Sequence, residues 1–457
     1  MSVAIPDIVI AGGGFTGASL ACALADGKRR ILVLEAREGR GPRFAGELIH
    51  PTGVDVLDQL GLLSPLKQAG GVDVDGFAVA AAGHATTHLR YDEIPDGRPH
   101  GFAIEHHAMV GVLRREAAAR PGVEIRYGTK VTELVHEGDR TTGVRTDNGE
   151  TIRTDLTLVA EGRHSLLRQH LGTGESCRLV SYNAALLVDN AELPEGRHGH
   201  ILLGAPGPIL AYPIAPADGG RHRVRMCFDF PSLPEEGRGL ARIAASIRER
   251  FLPLVPEPLR AAAARALDEH RPDVAACHAI ATRRCGEPGV ALVGEAGGCS
   301  HPITAAGMTI CLTDVRILAE ELGAAASLDS ALARYQARRY RFARARELLA
   351  DALYEAFVAD TDGTRAIREG IFHYWEGDPR ARVASLALLS GADSRLTRFL
   401  AEYWRVAGHG IKRSLRGAVP GRDGRSVGRW NGVRGLVGKS VEKLGRVASH
   451  VRGGTLR

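Results

Sequence analysis

The chain has 457 residues, 44% hydrophobic and 25% charged, which excludes a disordered, collagenous or fibrous protein and leaves ample apolar material for a large core. The net charge is +6, yet residues 412–457 alone hold 12 Lys and Arg against 2 Asp and Glu, so the body is mildly acidic and no nucleic-acid partner is expected; an aromatic content of 5% also leaves little for base stacking. The seven cysteines form no Cys-x-x-Cys pair and no zinc spacing, which points to reduced thiols, a cytoplasmic setting and no metal.

No basic n-region precedes the first apolar run, and no stretch of 18 apolar residues occurs, so neither a signal peptide nor a spanning helix is expected. Asp7–Ala11 reads as a buried parallel strand. Gly12-Gly13-Gly14-Phe15-Thr16-Gly17 follows, then a helix of small residues ending at Gly27, then a strand over Arg30–Leu34 closed by Glu35. This is the G-x-G-x-x-G fingerprint between strand and helix, with an acid 18 residues beyond Gly17. Gly12 permits the tight turn, Gly14 lets the backbone approach a pyrophosphate, and Gly17 lets helix and strand pack closely. The helix N-terminus offers free N–H groups to phosphate, and Glu35 suits a ribose.

Residues 71–105 read as irregular, with alternating stretches such as Phe77–Ala81. A helix is expected over 109–119, carrying Arg114. Val123–Val135 and Gly143–Arg153 alternate as a meander around an Asp147-Asn148-Gly149 turn. Leu156–Ala160 is another buried strand, leading to Glu161-Gly162. From 178 to 285 short strands recur, such as His200–Leu203, Ile209–Ile214 and Arg223–Phe230, with a helical stretch over 237–270; this reads as an inserted antiparallel-sheet domain. Val290–Val293 returns to the first domain and ends at Gly294-Glu295-Ala296. Thr309–Leu322 is a long helix, 328–410 is mostly helical, and the basic tail follows Pro420.

The tail places Val427, Trp430, Val433, Val437, Val441, Leu444, Ala448 and Val451 at three- and four-residue steps, with arginines and lysines on the other face. Two readings stand: a basic amphipathic helix lying on an anionic membrane surface, or a helix packed on the body or solvated.

The order Gly12–Gly17 with Glu35, then Ala160-Glu161-Gly162, then Gly294-Glu295-Ala296 leading to His301-Pro302, resembles the single-component FAD-dependent monooxygenases of the aromatic-hydroxylase superfamily. Those usually carry Asp where this chain has Glu161 and Glu295. His301-Pro302-Ile303-Thr304-Ala305-Ala306-Gly307-Met308-Thr309 is similar to the His-Pro-Leu-Thr-Gly-Gly-Gly-Met-Thr segment of squalene epoxidases. Arg43-Phe44-Ala45-Gly46-Glu47-Leu48 resembles their Arg-x-x-Gly-Glu-Phe segment. Ala352-Leu353-Tyr354-Glu355-Ala356-Phe357 and Leu388-Leu389-Ser390 also have counterparts there, so the resemblance runs from about residue 7 to 410.

The resemblance implies an α/β fold: an FAD-binding, Rossmann-like domain of the glutathione-reductase type, an inserted antiparallel-sheet substrate domain and a helical C-terminal region. The expected FAD-binding domain is discontinuous, over 1–70, 100–175 and 285–345. The substrate domain takes 71–99 and 176–284, the helical region 346–411, and the basic tail 412–457. By the same resemblance Phe15, Thr16, Glu35, Ala36, Arg43, Glu47, Leu48, Arg114, Lys130 (through its backbone), Glu295 and Met308 contact FAD, beside Gly12, Gly14, Gly17 and Gly307. His50, Phe77, Tyr212 and Pro302 are the expected substrate pocket.

Departures from the family are Phe77 for a Tyr, His50 for a Gln, Ala305 and Ala306 for glycines, and the lack of two hydrophobic C-terminal helices. The activity implied is an FAD-dependent monooxygenase. It would epoxidise or hydroxylate a lipophilic small molecule of specialised metabolism (an isoprenoid, polyketide or quinoline type) with O2, through a C4a-hydroperoxyflavin. NAD(P)H would supply electrons directly or through a partner reductase. The chemistry is the flavin's; no Ser-His-Asp elbow and no paired carboxylates stand out. Genuine squalene epoxidation, an FAD-dependent reductase or dehydrogenase of isoprenoid double bonds, and a flavin-less binding protein remain as alternatives. Trp375, Trp404 and Trp430 form no Trp-x-Trp pair, which disfavours a halogenase.

Overall fold

The β-branched run Ile8–Ala11 is apolar on both faces and sits in the middle of a parallel sheet, as such runs must when both faces are covered. Across that sheet the order is Gly286–Glu287, Val290–Leu292, Leu156–Val159, Ile8–Ala11, Ile31–Glu35 and Val123–Tyr127. Every pairing is parallel except that of the Gly286–Glu287 edge. The helix Phe15–Leu24 packs between the helices His106–Ala118 and Gly307–Ala324, and their buried side chains join one core with the strands. The computed structural model describes residues 5–37, 39, 45–171, 177–233, 239–281, 284–417, 419–421 and 426–453.

A seven-stranded sheet forms the second layer. Its order is Asp273–Ala279, Arg178–Ala191, His222–Phe230, Ile209–Pro216, Gly199–Leu203, Gly76–Ala81 and Thr87–Arg90. The stretch read as irregular thus supplies two of its strands, Gly76–Ala81 and Thr87–Arg90. Arg178–Ala191, the 14-residue strand next to its Asp273–Ala279 edge, is not marked by the sequence pattern. Its Asn-Ala-Ala middle has little intrinsic strand preference, and neighbours on both sides hold it.

Strand alternation divides this sheet into two faces. Ala184, Leu186, Ile209, Ala211, Met226 and Phe228 point to one side and pack with Ile247, Phe251, Leu259 and Ala263. Ser181, Asn183, Tyr212, Arg225, Cys227, Asp229 and Cys277 share the other, by register.

The rest is helical: Leu328–Val358, Asp362–Gly377, Pro379–Ser390, Leu396–Leu415 and Arg429–Gly453. The boundaries expected at 345/346 and 411/412 fall inside continuous helices. The tail helix docks by small residues. Gly435 meets Gly363 backbone to backbone, Gly432 lies against Ser414, and Leu436 against Gly410. Its buried positions are Gly432, Leu436, Ser440 and Lys443, and Lys443 Nζ donates to Glu355 Oε1 at 3.1 Å. Much of the apolar stripe therefore turns outward: Trp430 is 66% and Val441 62% exposed, with Val437 and Leu444 beside them, whereas Val427 is buried and Val433 half-buried. Among the described residues no helix is long and apolar enough to cross a membrane.

Candidate cofactor and substrate cavity

The glycine loop is shaped by contacts that admit no side chain. Gly12 has φ +103°, and a Cβ there would lie 2.7 Å from the Ala160 carbonyl oxygen; one on Gly17 would collide with the Gly12 carbonyl oxygen. Glu35 Oε2 accepts from Gly13 N at 2.9 Å and pairs with Arg114 Nη2 at 2.6 Å, while Arg114 Nε donates to Gly13 O at 2.7 Å. The acid and the arginine brace the loop from below.

From this loop runs a cavity of about 670 Å³, lined first by Gly12, Gly14, Phe15, Thr16, Glu35, Ala36 and Lys130. It continues past Glu47, Leu48, Glu295, Pro302, Gly307 and Met308 to the seven-stranded sheet at Leu210, Tyr212, Asn183 and Asp229. Gly17 and Arg114 stand behind the wall rather than on it. Lys130 is on the wall, but its backbone N–H donates to Asp147 Oδ1 and its C=O accepts from Asp147 N, so the backbone contact expected of it competes with the meander turn. Arg43 lies outside the described residues. The donor set fits a dinucleotide: a helix N-terminus behind glycines for the pyrophosphate, an acid closing the second strand for a ribose, and a second helix N-terminus at Gly307.

The loop carrying Glu295 is clamped from within. Asp314 Oδ2 accepts from Gly294 N at 2.9 Å and from Arg339 Nε at 2.7 Å; Arg339 also donates to Gly297 O and Gly294 O. Both side chains are fully buried. Burial pushes the Asp314 carboxyl up from its ordinary range, and Arg339 pulls against that. The Glu295 side chain lies near the places where Cβ atoms on Gly162 and Gly307 would be, at the start of the helix Gly307–Ala324. Glu161 also lines the cavity, with its Oε2 accepting from Ser165 Oγ and Leu167 N.

Two expected pocket residues need correction. His50 and Phe77 do not line the cavity. His50 is fully buried, with Nε2 2.8 Å from Thr304 O and Nδ1 2.6 Å from Tyr91 Oη. A carbonyl can only accept, so Nε2 carries the proton and Tyr91 donates to Nδ1. Burial holds the ring neutral, with its pKa lowered to about 3. The His50 backbone N–H donates to Thr309 Oγ1 at 2.9 Å. Phe77 packs 5.9 Å from His50 and 6.2 Å from Tyr91. His50 supports the 301–309 loop from behind, and Phe77 packs against His50. Ala305, which replaces a family glycine, takes the left-handed conformation at φ +49°, strained for a residue with a Cβ.

Tyr212 and Pro302 do face the cavity. Tyr212 Oη donates to Glu47 Oε2 at 3.3 Å, and Arg225 grips Glu47 with two bonds of 2.9 and 2.8 Å. Further along the same sheet face, Ser181 Oγ donates to Asp229 Oδ2 at 2.8 Å, and His301 Nε2 stands 2.7 Å from Ser181 Oγ and 3.1 Å from Asp229 Oδ2. Asp229, Cys277 and His301 bring one potential metal-ligand atom each within 4.8 Å.

Arg225, Asp229, Asn183, Tyr91, Asp314 and Arg339 were not expected from the sequence. A signal existed for two of them: Arg225 and Asp229 alternate with Val224, Met226, Phe228 and Phe230, the mark of a strand with one apolar and one polar face. Asp314 interrupts the apolar stripe of Cys311, Val315 and Leu318 on its helix.

Comparison with known proteins agrees with this geometry. Residues 153–420 match the squalene epoxidase family. Squalene epoxidase 3 of Arabidopsis thaliana is 31% identical over 423 residues, covering 90% of this chain and 79% of its own. Squalene epoxidase erg1 of Aspergillus fumigatus is 30% identical over 387 residues, with 81% and 79% covered. Among solved structures, pqsL of Pseudomonas aeruginosa, titled a "probable FAD-dependent monooxygenase", superposes with a TM-score of 0.66 at 23% identity, covering 78% of this chain and 97% of its own; that likeness concerns the fold.

Proposed function

This chain belongs to the squalene epoxidase family and is an FAD-dependent monooxygenase, and from that premise we propose that it transfers one oxygen atom of O2 to an isoprenoid, polyketide or quinoline-type small molecule, as an epoxidation of an alkene or a hydroxylation of an electron-rich ring. The observation that supports this reading best is the continuity of one cavity from the glycine loop to the inward face of the seven-stranded sheet. FAD, when bound, supplies the oxygen chemistry, with electrons that come from NAD(P)H.

The chain's own residues bind, orient and exclude water. The glycine loop, braced by Glu35 and Arg114, holds the dinucleotide end. The helix Gly307–Ala324 points its N-terminus into the cavity, where its positive end stabilises negative charge. Asp314 and Arg339 fix the backbone on either side of Glu295. His50, neutral and fully paired, holds Thr304 and Thr309, so the strained turn at Ala305 keeps Pro302 and Ile303 against the substrate space. The Glu47–Arg225 pair closes the cavity toward the sheet.

Incubation of the FAD-loaded chain with NADPH, NADH or either with a flavin reductase, under ¹⁸O2 and a panel of lipophilic alkenes and phenols, tests the reading. One labelled oxygen per product molecule is expected. Substrate oxidised with the label in water only, or reduced without consumption of O2, would replace the reading with that of a reductase or dehydrogenase. The same experiment separates direct reduction from a partner reductase.

The outward stripe of Trp430, Val437, Val441 and Leu444, flanked by Arg429 and Arg434, supports peripheral contact with an anionic lipid surface, which also suits a lipophilic substrate. Co-sedimentation with phosphatidylserine vesicles, lost on V437E/V441E and absent with neutral vesicles, is the expected outcome. The free state of all seven cysteines supports a reducing, cytoplasmic setting.

A further inference from the structure

The sheet end of the cavity carries more polarity than a hydrocarbon ligand can use. Asn183 and Asp229 face each other across neighbouring strands, and both line the cavity. Each is at least nine-tenths buried. Asp229 Oδ2 is taken by Ser181 and His301, but Asp229 Oδ1 has no partner among the described residues, nor has Asn183 Oδ1; Tyr354, off the cavity wall, has its hydroxyl beside Ser181 and Asp229. The Tyr354 ring packs against His301 at a tilt, with centroids 4.2 Å apart. Leu210, Ile303, Ala305 and Ala275 make the surroundings apolar. A buried carboxyl oxygen left unpaired is costly, and a ligand that brings a donor removes that cost.

The chemistry of the orphaned groups narrows the ligand. Asp229 Oδ1 needs a donor, while the Asn183 amide can give or receive after a half-turn of its plane. One hydroxyl satisfies both, because it donates to Asp229 and accepts from Asn183. A metal ion fits less well. His301 Nδ1 accepts from Ile303 N at 3.1 Å, so the ring proton of neutral His301 sits on Nε2, directed at Ser181 and Asp229, and no lone pair faces the cluster.

We propose that Asp229 and Asn183 form a hydroxyl-binding subsite at the sheet end of the cavity, so that the compound oxidised here is an alcohol or phenol with an otherwise lipophilic body. This rests on the monooxygenase reading for the word "oxidised", but not for the binding itself. The subsite would orient the substrate by its polar end and leave the apolar part against Pro302 and Ile303.

Calorimetric titration of the full chain, with and without FAD, tests it with two matched sets: farnesol, its methyl ether and the parent hydrocarbon; and 2-naphthol, its methyl ether and naphthalene. In at least one set the hydroxyl compound should bind roughly tenfold or more tighter than both analogues, as expected for a bond to a charged acceptor. N183L and D229L should each erase that preference while hydrocarbon affinity stays the same or rises. N183L removes no side-chain bond among the described residues, so it guards against a folding failure of D229L. Equal affinity or no binding across both sets overturns the subsite, as does a preference that survives in both variants. A chain that prefers the alcohol yet retains no FAD would keep the subsite and overturn the monooxygenase reading. One that holds FAD and oxidises substrate but ignores the hydroxyl would do the reverse.

Discussion

The two ends of the cavity are built on opposite plans. The proposed dinucleotide end is built around one short stretch, Gly12–Gly17, whose backbone would do the binding and whose shape depends on absent side chains. The sheet end comes from Asn183, Tyr212, Arg225, Asp229 and Cys277, drawn from four strands, where the backbone is a regular ladder and only side chains differ. A backbone site tolerates almost no substitution. A side-chain wall can change its ligand without moving a strand, so the cofactor end is fixed while the substrate end is free to diverge from that of relatives.

If that contrast is right, the largest effect belongs to the backbone end. G17V forces a branched side chain onto the Gly12 carbonyl; the purified protein should carry no flavin, with FAD affinity lowered at least a hundredfold, read as flavin absorbance after reconstitution. A variant that still retains FAD would break the comparison.

Next comes the clamp behind the cradle. R339M leaves Asp314 buried without its cation, which should cost about 3–5 kcal/mol of stability and loosen the Glu295 loop. Urea denaturation measures the first and FAD affinity the second. Replacing both partners, D314L/R339M, should recover much of the stability, because an apolar pair avoids the desolvation of two charges.

The smallest effect sharpens the picture of the loop between the two ends. His50 is held near pKa 3 by burial, against an ordinary value of 6.5. Between those values the unfolded chain binds a proton that the folded chain refuses, so the His50 contribution to stability is complete above pH 6.5 and falls as pH drops. The slope is at most about 1.4 kcal/mol per pH unit. The difference in unfolding free energy between the parent and H50Q should therefore shrink from pH 6.5 to pH 4. A difference independent of pH would mean that His50 titrates normally.

The same contrast explains what the sequence could tell. The cradle was legible because its logic is local: strand, three glycines, helix, strand and Glu35 lie within 35 residues. The 301–309 loop was legible by resemblance. His50 and Phe77 were assigned to the pocket by that same route, yet the hydroxyl of Tyr91, 41 residues away, captures His50 and holds it in the core. Asp229 and Asn183 meet only through the pairing of two strands whose register no local pattern sets. The tail shows a third case. Its apolar period was visible, but the helix docks through glycines at 432 and 435, and much of the stripe faces outward.

The central claim is that one cavity holds FAD at the glycine loop and a lipophilic substrate at the sheet. Its most direct measurement is the visible spectrum of the purified chain, followed by anaerobic addition of NADPH with and without lipophilic alkenes and phenols. The account predicts a bound-flavin spectrum that a fitting ligand perturbs, with bleaching by NADPH alone or after addition of a reductase. No flavin after reconstitution with FAD, or a flavin indifferent to every ligand, would contradict it.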